Sequence, residues 1–275
     1  MTGSQSLIMG VINLTPDSFS DGGAWDVPDA AVQHGRELVD AGADLLDIGA
    51  ESTRPGFQPV TPPAQIARLL PVIEGLAGCG VPLSVDTTSA AVAQAALAAG
   101  ATIVNDVSGG MSDPEMLPLI ASSGADYVCQ WWTNWPNHEI IASRRSAWLS
   151  AADELRWRRD NCLKAGVVSG QIILDPGLGF GKSLDDNWRI LAHIDEITGL
   201  GQRVLIGASR KSFLDVAATP LQREGAGVAI SIWCAQHKIW AVRVHDVKLH
   251  RQAVYATSKL SSMSGSGDQN TEVDP

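Results

Sequence analysis

The chain has 275 residues, 45% of them hydrophobic and 18% charged, enough apolar material for a sizeable core and too little charge for a disordered chain. A formal net charge of −10 argues against non-specific nucleic-acid binding, so any cluster of cations has to be local. No apolar run reaches the length of a membrane span, and the N-terminal MTGSQSLIMG lacks the basic stretch of a signal peptide. Cys79, Cys129, Cys162 and Cys234 have neither metal nor CxxC spacing, which predicts reduced, mostly buried thiols in a cytoplasmic protein.

Along the chain, apolar runs of strand length alternate with helix-like stretches. Leu7–Ile12 is the first strand; Asn13 and Thr15-Pro16-Asp17 stop it, since Pro16 has no N–H for a ladder. The polar stretch Ser18–Gly23 follows, then a helix over Asp29–Ala41. Strand Asp44–Ile48 leads to helix Thr61–Ala77, Pro82–Val85 to Ser89–Ala98, and Thr102–Val104 to Asp113–Ser122. Asp126–Cys129 leads to Ser146–Lys164, Gln171–Leu174 to Leu184–Leu200, Arg203–Ile206 to Gln222–His237, and Trp240–Val244 to Lys248–Leu260. Gly42 and Gly100 stand where helices commonly end. Eight β–α pairs predict an α/β fold, a single-domain (β/α)8 TIM barrel over residues 1–260. A doubly wound sheet would carry GxGxxG in its first βα turn, and Gly10-Val11-Ile12-Asn13 does not. Ser261–Pro275 is rich in Gly, Ser and acids without apolar periodicity and is expected to be a disordered tail.

In such a barrel the chemistry lies just past the strand C-termini. The predicted strands end in Asn13, in Gly49–Gly56, in Asp86-Thr87, in Asn105-Asp106, in Asp175-Pro176-Gly177, in Gly207–Ser212 and in Arg243-Val244-His245-Asp246. One aspartate at a strand end is usually a cap or turn residue, but so many polar ends at one mouth are hard to explain by capping. Alternation places Arg243 and His245 on one face, and Ser209 with Lys211 if that strand extends far enough. Arg54, Lys211, Arg243 and His245 would then form a cationic cluster for a phosphate or pyrophosphate. Asp86, Asn105 and Asp175 suit the N–H edge of a polar heterocycle. Pro176–Ser183 (PGLGFGKS) imitates a phosphate loop but has Pro176 where the first glycine is needed, and no HExxH or Cys/His cluster suggests zinc.

Seven segments together resemble the dihydropteroate synthase family over Leu7–Thr257: Met9–Gly23, Asp47–Gly56 (DIGAESTRPG), Ser84–Thr87 (SVDT), Asn105–Gly109 (NDVSG), Ile173–Lys182 (ILDPGLGFGK), Gly207–Leu214 (GASRKSFL) and Arg243–Val247 (RVHDV). The resemblance implies a TIM barrel of folate synthesis that joins dihydropterin pyrophosphate to p-aminobenzoate. It implies pterin binding by Asp86, Asn105, Asp175 and Lys211, with Phe180 as a pocket wall. Asp175 would hold the N3–H/2-amino edge and Lys211 the O4/N5 side. Asn13, Arg243 and His245 would take the pyrophosphate end, Asn13 on the side of a Mg²⁺ ion. Phe19, Thr53, Arg54 and Pro55 would close over the aminobenzoate, with Ser209 and Lys211 lining that site. Lys211, Arg243 and His245 would be catalytic. The resemblance also implies a homodimer formed through barrel helices and a sulfonamide target.

Two places depart from the family pattern. After the fifth strand the family has Met-His-x-Arg-Gly or similar, whereas this chain has Cys129-Gln130-Trp131-Trp132-Thr133-Asn134-Trp135. Gln130 stands where a methionine would pack on the pterin face, and the tryptophans Trp131, Trp132 and Trp135 are expected to serve packing more than function. Asp215 stands where a glycine is usual. These departures leave room for a paralogue that binds pterin without turnover. A methyltetrahydrofolate:corrinoid methyltransferase-like barrel would share the carboxylates but would not need the SRKSF and RVHD segments.

Overall fold

Strands covered on both faces read as short continuous apolar runs, and here they close on themselves. The computed structural model describes residues 6–14, 27–51, 60–133, 147–215 and 217–264. The order is β1 (Leu7–Asn13), α1 (Val27–Asp40), β2 (Leu45–Gly49), α2 (Pro62–Leu76), β3 (Leu83–Asp86), α3 (Ala90–Ala98), β4 (Ile103–Asp106), α4 (Met116–Ser123), β5 (Asp126–Gln130), α5 (Ala147–Lys164), β6 (Ile172–Asp175), α6 (Leu184–Ala192), α7 (Asp195–Thr198), β7 (Arg203–Ile206), α8 (Glu224–Gln236), β8 (Ala241–Val244) and α9 (Val247–Ser264). Every strand is parallel to its neighbours in sequence, and β8 returns to β1 in the register Leu7–Ala241 to Gly10–Val244. This is the expected (β/α)8 barrel.

Alternation sorts the side chains. Met9, Leu45, Ile103, Val128, Ile173, Leu205 and Ala241 fill the barrel interior. Their neighbours Ile8, Leu46, Val104, Leu174 and Val242 face outward into the core shared with the helices. The strand N-termini are tied separately. Arg203 donates to both Asp126 oxygens at 2.8 and 2.7 Å and lies 5.0 Å over the Trp240 ring. Asp44 accepts from the Ile8 N–H at 2.7 Å and also from Arg251. Stability contacts thus gather at one end and leave the other for polar strand ends.

The expected elements shift in three places. The stretch Leu184–Leu200 is two helices, because His193 leaves helical geometry at φ −114° and ψ 30° and its ring nitrogen shares the Arg189 carbonyl at 2.8 Å. Helix α4 starts at Met116, since the Asp113 side chain takes the N–H groups of Glu115 and Ala90 in a preceding turn. Helix α9 runs through Ser261–Ser264, which belong to a helix and not to the predicted tail; the Ser262 hydroxyl donates to the Lys259 carbonyl at 2.8 Å.

The turn after β6 positions the polar end of that strand. Gly177 has φ +62°, and its N–H donates to Asp175 Oδ1 at 2.7 Å. A Cβ at Gly177 would come 2.0 Å from the Trp131 carbonyl oxygen. Gly177→Ala is therefore expected to destabilise the fold by about 2 kcal/mol or more, as left-handed strain adds to a backbone clash. Denaturant unfolding measures this, and an unchanged midpoint would refute the tight turn.

Candidate active site

The inner face of the barrel turns from apolar to polar one layer above Leu45, Ile103 and Ile173. On β2, Leu45 is followed on the same face by Asp47, which is fully buried. Asp47 Oδ2 accepts from Arg243 Nε on β8 at 2.6 Å and from Asn105 Nδ2 on β4 at 3.0 Å. Arg243 Nη2 also donates to Asp86 on β3 at 3.0 Å. Four strands are thus joined by one guanidinium, two carboxylates and an amide. Because Asp47 can only accept, its contact with Asn105 assigns the amide nitrogen to that side.

Burial is the main influence on these groups. It raises the Asp86 pKa to about 7, reinforced by Asp47 and opposed by Arg243. It also raises Asp175, where Lys211 is the largest opposing charge. Lys211 is lowered to about 8 by burial, with Asp175 pulling the other way. Its ammonium donates to the Leu178 carbonyl at 2.5 Å and sits 4.5 Å over the Phe180 ring. Phe180 in turn meets Trp132 edge-on, with centroids 5.0 Å apart.

Behind this wall, Lys182 donates to the carbonyls of Trp131, Gly177 and Phe180 at 2.9, 2.9 and 3.2 Å and lies 4.2 Å over the Trp131 ring. Burial pushes the Lys182 ammonium toward losing its proton, and the Asp175 charge opposes this. Three carbonyls match the three donors of the charged form.

The β7–β8 side differs. Strand β7 ends at Ile206, and Arg210 has φ +62°, so Ser209 and Lys211 do not share a strand face. Ser209 Oγ lies 3.0 Å from His245 Nδ1, 3.3 Å from Glu224 Oε1 and 3.3 Å from the His245 N–H. Burial works against the Glu224 carboxylate, but hydrogen bonds from Arg210 and His250 hold its pKa below the ordinary value. An ionised Glu224 only accepts, so Ser209 donates to it and takes a proton donor from His245. That assigns the hydrogen to Nδ1 and a lone pair to Nε2. Burial, with Arg243 and Arg210 nearby, pushes His245 down to about 3. His245 is therefore neutral, and the expected cationic cluster loses that member.

The family model described as pterin binding enzyme matches residues 9–245. The dihydropteroate synthase of Mycobacterium leprae is 43% identical over 258 residues, covering 88% of each chain. That of Bacillus subtilis is 39% identical over 248 residues, covering 89% of this chain and 85% of the relative. The chain belongs to the dihydropteroate synthase family. The solved structure of the Xanthomonas albilineans synthase with 4-aminobenzoic acid superposes with a TM-score of 0.87 at 37% identity, covering 95% of both chains. The barrel is thus that of other dihydropteroate synthases along nearly its whole length.

Of the residues expected from the sequence, Asp86, Asn105, Asp175 and Arg243 stand at the strand ends of one barrel mouth, with Gln130 at the end of β5 and the half-buried Asn13 at the end of β1. Lys211 and Phe180 form the adjoining wall. Ser209 turns to His245 and Glu224. Phe19, Thr53, Arg54, Pro55 and Trp135 lie outside the described residues. Trp131 is buried, as packing requires, whereas Trp132 reaches the Phe180 wall. Sequence reasoning missed Asp47, Lys182 and Glu224. Asp47 carried a signal: an acid inside the apolar run Leu45-Leu46-Asp47-Ile48, in step with the interior residue Leu45.

A carboxylate that reads a ligand N–H has to be ionised. With its pKa at about 7, Asp86 is about one-tenth ionised at pH 6 and about nine-tenths at pH 8. Pterin affinity is expected to rise about tenfold over that interval in the native chain and to lose this component in Asp86→Asn. Calorimetric titration at the two pH values checks it, and equal pH slopes for both proteins would contradict it. The sign for the free fold is opposite. The raised folded pKa favours the folded state fully below about pH 4, and this contribution is lost as pH rises through 7.

Proposed function

We propose that this chain joins 7,8-dihydropterin pyrophosphate to p-aminobenzoate, giving 7,8-dihydropteroate and pyrophosphate. The observation that carries the reading is the placement of Asp86, Asn105 and Asp175 at one barrel mouth with Arg243 and Lys211, in a member of this family. In this reading the carboxylates and the amide read the heterocycle. Asp175 takes the N3–H/2-amino edge, and Lys211 the opposite carbonyl side against the Phe180 wall.

The reaction breaks the C–O bond between the pterin methylene and pyrophosphate, and its electron pair leaves with pyrophosphate. The amine nitrogen of aminobenzoate forms the new bond to the methylene carbon and gives up a proton. A neutral arylamine is already a nucleophile, so the step needs no strong base. Arg243 meets the charge that grows on the leaving group, as a preorganised clamp does. Its role differs from that of a free cation, because Asp47 and Asp86 already hold it. His245 contributes as a neutral acceptor, since its Nε2 lone pair can take a hydrogen bond from a water at the pyrophosphate end but gives none to the phosphate oxygens.

Magnesium belongs to this proposal. Among the described residues no group of three or more His, Cys, Asp or Glu side chains could hold a metal ion. Magnesium keeps several waters and is commonly held by one or two protein ligands together with phosphate oxygens. Asn13 would supply an amide oxygen from the end of β1. The ion, when bound, would neutralise charge on the pyrophosphate.

The assay is dihydropteroate formation from the two substrates with Mg²⁺. No product at high enzyme concentration would leave the pterin-binding paralogue. Arg243→Ala is expected to reduce turnover about 30- to 1000-fold, as for loss of one clamp on developing charge. It should also weaken a pterin that lacks pyrophosphate, because Asp86 loses its partner, but less than the pyrophosphate ester. Equal losses for the two ligands in a folded variant would remove Arg243 from the pyrophosphate end.

The proposal includes a homodimer in the cytoplasm. All four cysteines are free, and among the described residues no helix is long and apolar enough to cross a membrane. Leu249 and Tyr255 on α9 are exposed apolar side chains available to a second copy. Light scattering at micromolar concentration is expected to give twice the chain mass, and a monomer would contradict the dimer.

A further inference from the structure

Gln130 is the last residue of β5. It is only 4% exposed, and its Nε2 has no hydrogen-bond partner among the described residues. A buried N–H without an acceptor is costly, so its persistence calls for a partner. Alternation from the interior residue Val128 puts the Gln130 side chain on the inner face of the barrel. Its Cγ lies 3.2 Å from where a Cβ on Gly177 would be, against the turn after Asp175.

The neighbours define what the amide faces. Around the mouth, Asn105 on β4 comes before Gln130, and Asp175 on β6 is its register partner. Asn105 Oδ1 is also buried without a partner among the described residues, and it is held as an acceptor because Asp47 takes the nitrogen side of the same amide. Asp175 uses Oδ1 for the Gly177 N–H and has a second oxygen. The wall therefore reads acceptor, donor, acceptor: Asn105 Oδ1, Gln130 Nε2, Asp175.

Resting on the pterin reading above, we propose that Gln130 is a specificity-determining residue whose Nε2–H donates to N1 of the bound dihydropterin. One edge of that ring presents, in order, the N8–H donor, the N1 acceptor and the 2-amino donor. This is the complement of the wall. Asn105, with its register partner Asp86, takes the N8–H and Asp175 the 2-amino donor, and Gln130 supplies the one donor that the central acceptor requires. A methionine at this position would leave N1 without a protein donor from β5. Gln130 thus converts a packing position into a polar contact that tests for a ring nitrogen.

The experiment compares 6-hydroxymethyl-7,8-dihydropterin with its 1-deaza analogue, in which C–H replaces N1, by calorimetry on the native chain, Gln130→Met and Gln130→Glu. The native chain should prefer the nitrogen ligand about tenfold, the range of one matched buried hydrogen bond. In Gln130→Met, of similar volume, the preference should fall toward unity. Gln130→Glu, which puts an ionised acceptor against N1, should also lose it. Contacts to Asn105 and Asp175 are common to both ligands and cancel in the ratio. A ratio near one in the native chain overturns the assignment without any variant having to fold. An equal ratio in native and Met proteins overturns it as well. Failure of the native chain to bind either ligand overturns the pterin reading itself, and the assignment with it.

Discussion

The buried pair between Asp47 and Arg243 is the contact on which the mouth of the barrel depends. Asp47 has no exposure to solvent, and Arg243 is about one-fifth exposed. Breaking such a pair from one side leaves an uncompensated charge, which typically costs about 3–5 kcal/mol. Its geometry also sets other groups. The guanidinium is drawn toward β2 and β3, where it reaches Asp86, and the Asn105 amide is turned so that its oxygen faces away from Asp47. Two residues on two strands thus take their orientation from one carboxylate, and Asp86 on a third is reached through the guanidinium.

The charge balance of the mouth follows from burial more than from a surplus of cations. Asp86 and Asp175 are pushed toward their neutral forms, and Lys211 and Lys182 likewise. His245 is already neutral. Arg243 is paired with Asp47 and Asp86. A pyrophosphate arriving here meets a guanidinium that two carboxylates already hold, so its own counter-ion matters more than it would beside an unpaired cation.

The barrel was legible because strands buried on both faces leave unbroken apolar runs, such as Ile172–Leu174 and Val204–Ile206. Their limits fall within two residues of those expected. The break at His193 was less legible, since the backbone leaves helical geometry at one residue within an otherwise helical pattern. Strand-end residues such as Asp86, Asn105 and Asp175 were readable from position alone. What they bind to was not. The Arg243–Asp47 contact spans 196 positions and depends on barrel closure. The pairing of Ser209 with Lys211 failed because β7 stops early and the chain turns through Arg210. The neutrality of His245 depends on burial and on Arg243 and Arg210, which no local pattern reports.

Lys182 has a consequence for how freely the chain can vary. All three of its hydrogen bonds end on main-chain oxygens, two on the turn after β6 and one at Trp131 beyond β5. Main-chain acceptors are retained whatever side chain is attached. The segment after β5 can therefore exchange its side chains over generations without loosening its grip on the neighbouring turn. Chemical novelty can enter there, while the scaffold that aims it keeps its shape.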